Sequence, residues 1–215
     1  MKIGILGSGA VAKTLGAGFL RHGHTVLLGT RDPAKLGDWN REHAAARIGS
    51  FQEAAGFAEV VVLAVKGSAA LDVLGLAGGA ALAGKPILDT TNPISAAPHV
   101  NGVLQYFTSI NESLMERLQQ AYPAARLVKC FSSVGNARMV NPTYAEGRPT
   151  MFICGNDAGA KQTATALLDQ FGWETLDLGG VEGARGIEPL CITWCIPGIL
   201  HHEWTHAFKV LHSPR

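Results

Sequence analysis

The feature that most constrains this chain is a glycine-rich turn between an apolar strand and a helix. Residues 2–6 read KIGIL, the pattern of a short buried strand, and residues 7–12 read GSGAVA, which matches G-x-G-x-x-G/A. A second apolar strand is predicted at 24–29, after a stretch with helical spacing. The motif alone is weak, but a strand before it and a helix and strand after it are typical of a dinucleotide-binding βαβ unit.

Each small residue of the turn has a physical role in this interpretation. Gly7 permits the tight turn, Gly9 lets the backbone approach a pyrophosphate, and Ala12 allows the helix to pack closely. The helix then presents unpaired N–H groups and the positive end of its dipole to the ligand. The alternative is a tight turn that holds no ligand.

The end of the second strand predicts which dinucleotide binds. NAD enzymes usually place an acid there to hold the ribose hydroxyls, whereas this chain has Thr30 followed by Arg31. A guanidinium can bind a 2′-phosphate through two hydrogen bonds, so the predicted cofactor is NADP(H). Asp32 is predicted to cap the helix that starts at Pro33. Lys35 can assist at the phosphate, although it and Arg31 can also be solvated surface charges.

Strands alternate with helical stretches along most of the chain, which predicts an α/β fold: a Rossmann-type doubly wound, mostly parallel sheet with a small C-terminal helical cap. The predicted domains are a dinucleotide-binding domain with an extension at 1–178 and the cap at 179–215. Within the cap, residues 182–211 are expected to be largely helical, with an interruption near Pro197-Gly198.

Composition narrows the function classes. With 215 residues, 47% hydrophobic and 16% charged, the chain can bury a large core, and a net charge of +1 gives no reason to expect a nucleic acid or membrane partner. We see no signal peptide or spanning segment, and the four cysteines form no C-x-x-C pair. A cytoplasmic protein with reduced thiols is therefore predicted.

Ligands of open α/β sheets lie beyond the carboxyl ends of the strands, and those ends predict the rest of the cleft. Val65 is expected to pack against the cofactor, and Asn92 to hydrogen-bond ribose or carboxamide. Lys66 is either a phosphate or substrate contact or a charge at a helix end. Asn92 with Pro93 can equally be plain turn chemistry, and Ser133 is in the same position.

The sequence also contains a zinc-protease-like motif, H-E-x-x-H, at His202, Glu203 and His206. On one helix the two histidines would share a face. Lys209 stands where the longer form of the motif needs glycine, and only three residues follow His212, so no Met-turn can form. We therefore predict no metal site here.

The chain resembles the NADPH-dependent oxidoreductases that reduce the deazaflavin coenzyme F420. The resemblance rests on the opening KIGILGSGAVAKTLGAGFLRHGHTVLLGTRD, the VVLAV strand, VKCFSSVG, MFICGND and GGVEGARGIEPL. The oxidoreductase domain of ferric-reducing membrane proteins is similar too. The chain departs from the coenzyme F420 enzymes at residues 65–68, VKGS, where they have a proline-containing segment, and in the loop 91–108.

The resemblance implies direct hydride transfer between NADP(H) and a flat deazaflavin or flavin-like ring, with no catalytic side chain. Together with the motif analysis, it gives these expected cofactor-binding residues: Gly7, Ser8, Gly9, Ala10, Val11, Ala12, Thr30, Arg31, Lys35, Val65, Lys66, Asn92, Pro93, Ser133 and Val134. It also implies an acceptor wall of Pro189, Leu190 and Trp194 on the last helix.

The predicted function is an NADPH-dependent oxidoreductase acting on a small-molecule redox acceptor. Two alternatives stay open: a β-hydroxyacid or imine reductase, which normally needs a general acid near the substrate, and an NADP(H)-binding redox sensor without turnover. The apolar last helix would leave a large exposed patch on a monomer, so a homodimer is predicted.

Overall fold

The structure is a computed structural model that describes residues 1–213. Its central sheet has six parallel strands in the order β3-β2-β1-β4-β5-β6. The strands are β1 Lys2–Leu6, β2 Thr25–Gly29, β3 Arg47–Gly49, β4 Val60–Leu63, β5 Pro86–Asp89 and β6 Arg126–Lys129. The chain adds strands on one side of β1 up to β3 and then on its other side from β4 onward. The carboxyl ends of β1 and β4 therefore flank a crevice of the kind in which such sheets bind ligands.

Helices cover both faces of the sheet because its central strands are apolar on both sides. The helices are α1 Ala10–Arg21, α2 Gly37–Glu42, α3 Phe51–Phe57, α4 Ala70–Ala77, α5 Gly79–Leu82, α6 Leu114–Ala121, α7 Ala158–Gln170 and α8 Ala184–His201. One core cluster joins α1 and α7 to the sheet, and a second joins α3, α4, α6 and α8 to its other face. The predicted α/β, doubly wound, mostly parallel fold is confirmed.

A second, two-stranded parallel sheet follows the main one. It consists of β7 Thr150–Ile153 and β8 Glu174–Asp177, connected through α7. An antiparallel bridge between Lys129 and Cys154 joins it to the end of β6. The sequence-based division at residue 178 stays a prediction, and positions 214–215 of the predicted cap lie outside the described residues.

The last helix differs from the prediction at both its interruption and its end. Helix α8 runs unbroken through Pro197-Gly198 and stops at His202, whose left-handed φ of 60° terminates it. The His202 N–H donates to the carbonyl of Gly198, which is the bond of an αL cap, and the Glu203 N–H donates to the carbonyl of Pro197. The predicted helix over 182–211 was wrong in its last third because packing, not periodicity, sets this boundary.

The tail after α8 runs beside β7 instead of continuing the helix. The Thr150 N–H donates to the Phe208 carbonyl at 2.8 Å, and the Val210 N–H donates to the Thr150 Oγ1 at 3.0 Å. Glu203 and His206 therefore lie beyond the helix end, and the helical spacing that would align His202 with His206 does not apply.

The long loop after β5 is more ordered than the sequence indicated. Antiparallel bridges pair Ile94 with Tyr106 and Val100 with Val103, around a turn in which Asn101 and Gly102 both have positive φ. We call residues 94–107 the flap.

Within residues 1–213, no helix is both long and apolar enough to cross a membrane.

Candidate active site

The glycine turn has the geometry that a pyrophosphate requires. Gly7 has a φ of +147°, and a Cβ there would lie 2.2 Å from the Ala64 carbonyl oxygen, so the turn is tied closely to β4. A Cβ at Gly9 would meet no atom within 4 Å, so its surroundings are open. Gly9 is the N-cap of α1, has no side-chain cap, and no acid stands in the first turn. The first N–H groups of α1 are thus left for a ligand.

Thr30 and Arg31 follow β2 beside this turn. Thr30 is buried, its Oγ1 donates to the Ser8 Oγ at 3.2 Å, and it accepts from the Asp32 N–H at 3.1 Å. Arg31 is exposed and forms no ion pair with any residue of 1–213. It therefore presents a free guanidinium at the mouth of the cleft.

Asp32 and Lys35 have roles that the sequence anticipated. The Asp32 Oδ1 accepts from the Ala34 N–H at 3.1 Å and caps a short 3-10 helix over Pro33–Leu36, which confirms the predicted capping role. Lys35 is exposed, and its Nζ lies 3.9 Å from the Asp32 Oδ2. Because this exposed pair is weak, Lys35 remains available to an anion in the cavity that it lines.

These groups surround one cavity of about 210 Å³, which we call the phosphate cavity. Its lining residues are Gly7, Ser8, Thr30, Arg31, Asp32, Lys35, Phe51, Val65, Lys66, Ser68, Ala69 and Val73. Val65 thus lies on the same side of the cleft as Arg31. Thr30, Arg31 and the glycine turn converge as predicted.

A second cavity of about 640 Å³ lies between the strand ends and the flap, and we call it the flap cavity. Its lining residues are Lys66, Gly67, Ser68, Thr90, Asn92, Ile94, Ser95, Ala96 and Phe107. Lys66 and Ser68 line both cavities, so the two adjoin along the carboxyl edge of the sheet. Among the described residues, Lys66 is the only charged side chain on the wall of the flap cavity.

The loops after β5 and β6 meet at the inner wall of the cleft. The Asn92 Nδ2 donates to the Ser132 carbonyl at 2.7 Å, and the Pro93 carbonyl accepts from the flap residue Phe107. Ser133 and Val134 are buried beside this contact, 5% and 8% exposed. The structure therefore brings these four predicted residues, Asn92, Pro93, Ser133 and Val134, to neighbouring loops.

The three residues expected to form the acceptor wall do not line the flap cavity. Trp194 is 6% exposed, and its Nε1 donates to the His206 carbonyl at 2.9 Å. Its ring lies against Gly135, where a Cβ would come within 2.5 Å of it. Trp194 thus supports the loop after β6 from behind. Pro189 and Leu190 are half-exposed on α8, and neither lines the flap cavity.

Sequence reasoning missed the flap residues that line the cavity, Ile94 and Phe107. The flap has no periodic pattern, and its only signal is the Asn-Gly turn between Val100 and Val103.

Sequence reasoning also missed a buried cluster of charges, which we call the triad: Asp89, Lys129 and Glu188. The Lys129 Nζ lies 2.7 Å from the Asp89 Oδ2 and 2.9 Å from the Glu188 Oε1. Burial alone would lower the pKa of Lys129, but the two carboxylates, Asp89 foremost, raise it above its usual range. A lysine at the end of an apolar strand was the one available signal.

The cysteines are free thiols. Cys130, Cys154 and Cys191 are buried, and Cys195 is half-buried. Burial raises the pKa of Cys154 to about 12, so this thiol is unreactive at neutral pH. Within residues 1–213, no group of three or more His, Cys, Asp or Glu side chains is arranged to hold a metal ion.

Comparison with known proteins agrees with this geometry. A family model described as NADP oxidoreductase, coenzyme F420-dependent, matches residues 2–93. The crystal structure of a protein from Arthrobacter sp. FB24, described as a candidate F420-dependent NADP reductase, superposes with a TM-score of 0.92. It is 33% identical, and the match covers 99% of this chain and 100% of that one.

More distant similarities extend to two other groups. Metalloreductase STEAP3 of Rattus norvegicus is 29% identical over 203 residues, which is 93% of this chain. The chain spans 39% of the length of that curated relative. A reductive aminase from Aspergillus terreus, solved in complex with NADPH and ethyl-5-oxohexanoate, has a TM-score of 0.67 at 18% identity, over 94% of this chain and 62% of that one. This likeness concerns the fold alone.

Proposed function

The chain belongs to the family of coenzyme F420-dependent NADP oxidoreductases, and we propose that it transfers a hydride between NADP(H) and a deazaflavin or flavin-like acceptor in the cleft described above. The expectations of an oxidoreductase and of NADP(H) rather than NAD(H) are confirmed at the level of the family. The identity of the acceptor is our proposal.

The observation that carries the proposal is that the two cavities adjoin at Lys66 and Ser68. The phosphate cavity brings Gly7 and Ser8, which lead into the open N-terminus of α1 at Gly9, beside the guanidinium of Arg31, so it suits a pyrophosphate and a 2′-phosphate. A dinucleotide held there would extend past Lys66 and Ser68, which line both cavities, into the flap cavity. The residues present therefore fit the cofactor that the family uses.

In this proposal NADP(H) supplies the hydride chemistry, and the side chains supply orientation and exclusion of water. Asn92 and Ser132 hold the loops after β5 and β6 together as a fixed wall. Ile94 and Phe107 give the flap cavity an apolar side on which a flat ring can lie. Lys66 is the cation placed to attract an acceptor that carries a negative group.

The direct experiment measures steady-state oxidation of NADPH against a panel of coenzyme F420, FMN, FAD, riboflavin, quinones and ferric chelates. We expect turnover with the deazaflavin or with a flavin, and faster turnover with the phosphorylated flavins than with riboflavin because of Lys66. Absence of NADPH oxidation with every acceptor, despite tight NADPH binding, would contradict the proposal and favour the redox sensor.

An imine or β-hydroxyacid reductase is the second enzyme candidate, and a reductive aminase shares the fold of this chain. Such chemistry needs a proton donor near the substrate, and within residues 1–213 the only charged candidate on the wall of the flap cavity is Lys66. Reduction of a cyclic imine that is lost in Lys66→Met, with no flavin or deazaflavin turnover, would support this alternative.

We also propose that the protein is a cytoplasmic homodimer. The apolar side chains of Val100, Val103 and Leu200 are 59%, 43% and 47% exposed, and Gly102 packs directly against Leu200. The flap tip and the end of α8 thus form one apolar surface, which a second copy of the chain would cover. Analytical ultracentrifugation tests this: we expect a dimer that dissociates in Val103→Asp, and a monomeric wild type would contradict it.

A further inference from the structure

The triad of Asp89, Lys129 and Glu188 lies immediately behind the wall of the flap cavity. Its side chains are 0%, 0% and 2% exposed. Burying three charges is costly, and such clusters contribute little to stability compared with apolar packing. Stability alone therefore does not explain why these three charged side chains are buried next to the cleft.

Thr91 connects the triad to the cleft. Its N–H and its Oγ1 donate to the Asp89 Oδ1 at 2.9 and 2.7 Å, and its carbonyl accepts from the Lys129 Nζ at 2.8 Å. The two residues that flank it, Thr90 and Asn92, both line the flap cavity. The charges of the triad are thus separated from the cavity by a single layer of backbone.

The charges of the triad do not balance, because two carboxylates face one ammonium group. Asp89 receives two hydrogen bonds from Thr91, and Glu188 receives the backbone N–H groups of Leu114 and Met115 at 2.9 and 3.0 Å. The N-terminus of α6 offsets part of the excess. One net negative charge remains, in an interior where salt screens it poorly.

We propose that Asp89 and Glu188 stabilise the oxidised, positively charged form of a nicotinamide bound in the flap cavity. In hydride transfer the C4–H bond of the nicotinamide breaks, its hydrogen and electron pair pass to the acceptor, and one positive charge remains on the ring. A fixed negative charge behind the wall favours that state electrostatically. The triad therefore raises affinity for NADP⁺ relative to NADPH and strengthens bound NADPH as a hydride donor.

This inference rests on the proposed function in one respect, the presence of the nicotinamide in the flap cavity. Its signature is the ratio of two dissociation constants, which requires no acceptor and no turnover. A purely structural triad would change both affinities together when altered, and would leave their ratio constant.

The experiment measures the Kd of NADP⁺ and of NADPH by calorimetry for the full chain and three variants. Glu188→Gln and Asp89→Asn each remove one buried negative charge, and Glu182→Gln removes an exposed one as the matched control. We expect the ratio of Kd for NADP⁺ to Kd for NADPH to rise at least about threefold in both buried variants, and to stay constant in the control.

Each outcome is decisive. The side-chain amide introduced by Glu188→Gln would offer a single oxygen to two backbone N–H groups. If that variant fails to fold, Asp89→Asn gives the answer: its amide oxygen can still accept from Thr91, and its NH2 group then faces the Lys129 Nζ, which keeps its contacts with Glu188 and with the Thr91 carbonyl. Wild type that binds both nucleotides, with a ratio unchanged in the folded variants, overturns this inference alone. Wild type that binds neither nucleotide overturns the proposed function, and the inference with it.

Discussion

The two ends of the cleft are built from different kinds of contact. At the phosphate end, Thr30 bonds to Asp32 two residues away, and the N–H of Gly7 donates to the carbonyl of Gly29 on the adjacent strand. At the flap end, the hydroxyl of Tyr106 donates to the carbonyl of Glu188, and Lys129 pairs with the same residue's side chain. Local spacing determines the first region, and contacts between distant segments determine the second.

The difference shows which parts of the sequence determine cofactor binding and which determine acceptor binding. A dinucleotide is held by a turn, a helix N-terminus and a strand end that lie close together in sequence, so this end is common to many enzymes. In the proposed function, the acceptor side is formed by the flap and the strand ends, with α8 behind them. Variants at the two ends should therefore separate cofactor binding from acceptor binding.

The largest effect is expected at Gly9. A Cβ there meets no protein atom within 4 Å, so Gly9→Val should fold normally while its side chain fills the space of the pyrophosphate. We expect NADPH affinity to fall at least about 100-fold, measured by calorimetry, with an unchanged melting temperature. The exposed helix residue Gly56, also without neighbours, is the control: Gly56→Ala should bind normally and melt slightly higher. Equal loss of stability and binding in Gly9→Val would contradict this account.

Arg31 should give the next largest effect, confined to the phosphate end. Arg31→Ala is expected to weaken NADPH about tenfold or more and NADH hardly at all, because only NADPH carries the 2′-phosphate. Isothermal titration of both nucleotides measures this. Arg41→Ala removes an exposed arginine of α2 that pairs with Asp38 and should change neither affinity. A parallel loss of NADPH and NADH binding in Arg31→Ala would place the guanidinium elsewhere.

At the flap end, Ile94→Ala should raise the KM for the acceptor about three- to tenfold and leave the Kd of NADPH unchanged. Ile94 is 40% exposed and lines the flap cavity, so truncation removes apolar contact from the acceptor without creating a cavity in the core. Ile110→Ala trims an exposed apolar side chain that does not line the flap cavity and serves as the control. The two ends would not be separable if NADPH binding weakened in Ile94→Ala as much as the acceptor KM rose.

The smallest effect concerns the link between α6 and α8, which supports the flap end. The Arg185 guanidinium, with help from the Ser113 cap, lowers the pKa of Glu116 to about 2. A lowered pKa means that this stabilisation is complete above the usual value of about 4.5 and is lost as pH falls toward 2. Because Arg185 is 43% exposed, we expect no more than about 1 kcal/mol in urea unfolding. Between pH 6 and pH 3.5, the wild type should lose this contribution to its free energy of unfolding, and Glu116→Gln should not. An unchanged pH dependence in the variant would argue against the link.

Sequence reasoning succeeded where the structure is locally determined. Periodicity and spacing account for the six strands of the main sheet, the turn at Gly7 and the cap at Asp32. They also account for the position of Thr30 and Arg31 beside the glycine turn. It failed at the C-terminus, because the apolar pattern of α8 continues past its end. The helix stops only through the left-handed His202 and through Trp204, which packs on Gly198. The triad was invisible because its members lie on β5, β6 and α8, far apart in sequence.

The central claim is that this cleft is built for NADP(H), and paired calorimetric titrations of the wild-type protein with NADPH and NADH test it most directly. The phosphate cavity has a free guanidinium at Arg31, and the only acid that the described residues place on its wall, Asp32, caps the helix that follows. We therefore predict that NADPH binds at least about tenfold more tightly, a difference of about 1.4 kcal/mol. Equal affinities for the two nucleotides would contradict the account.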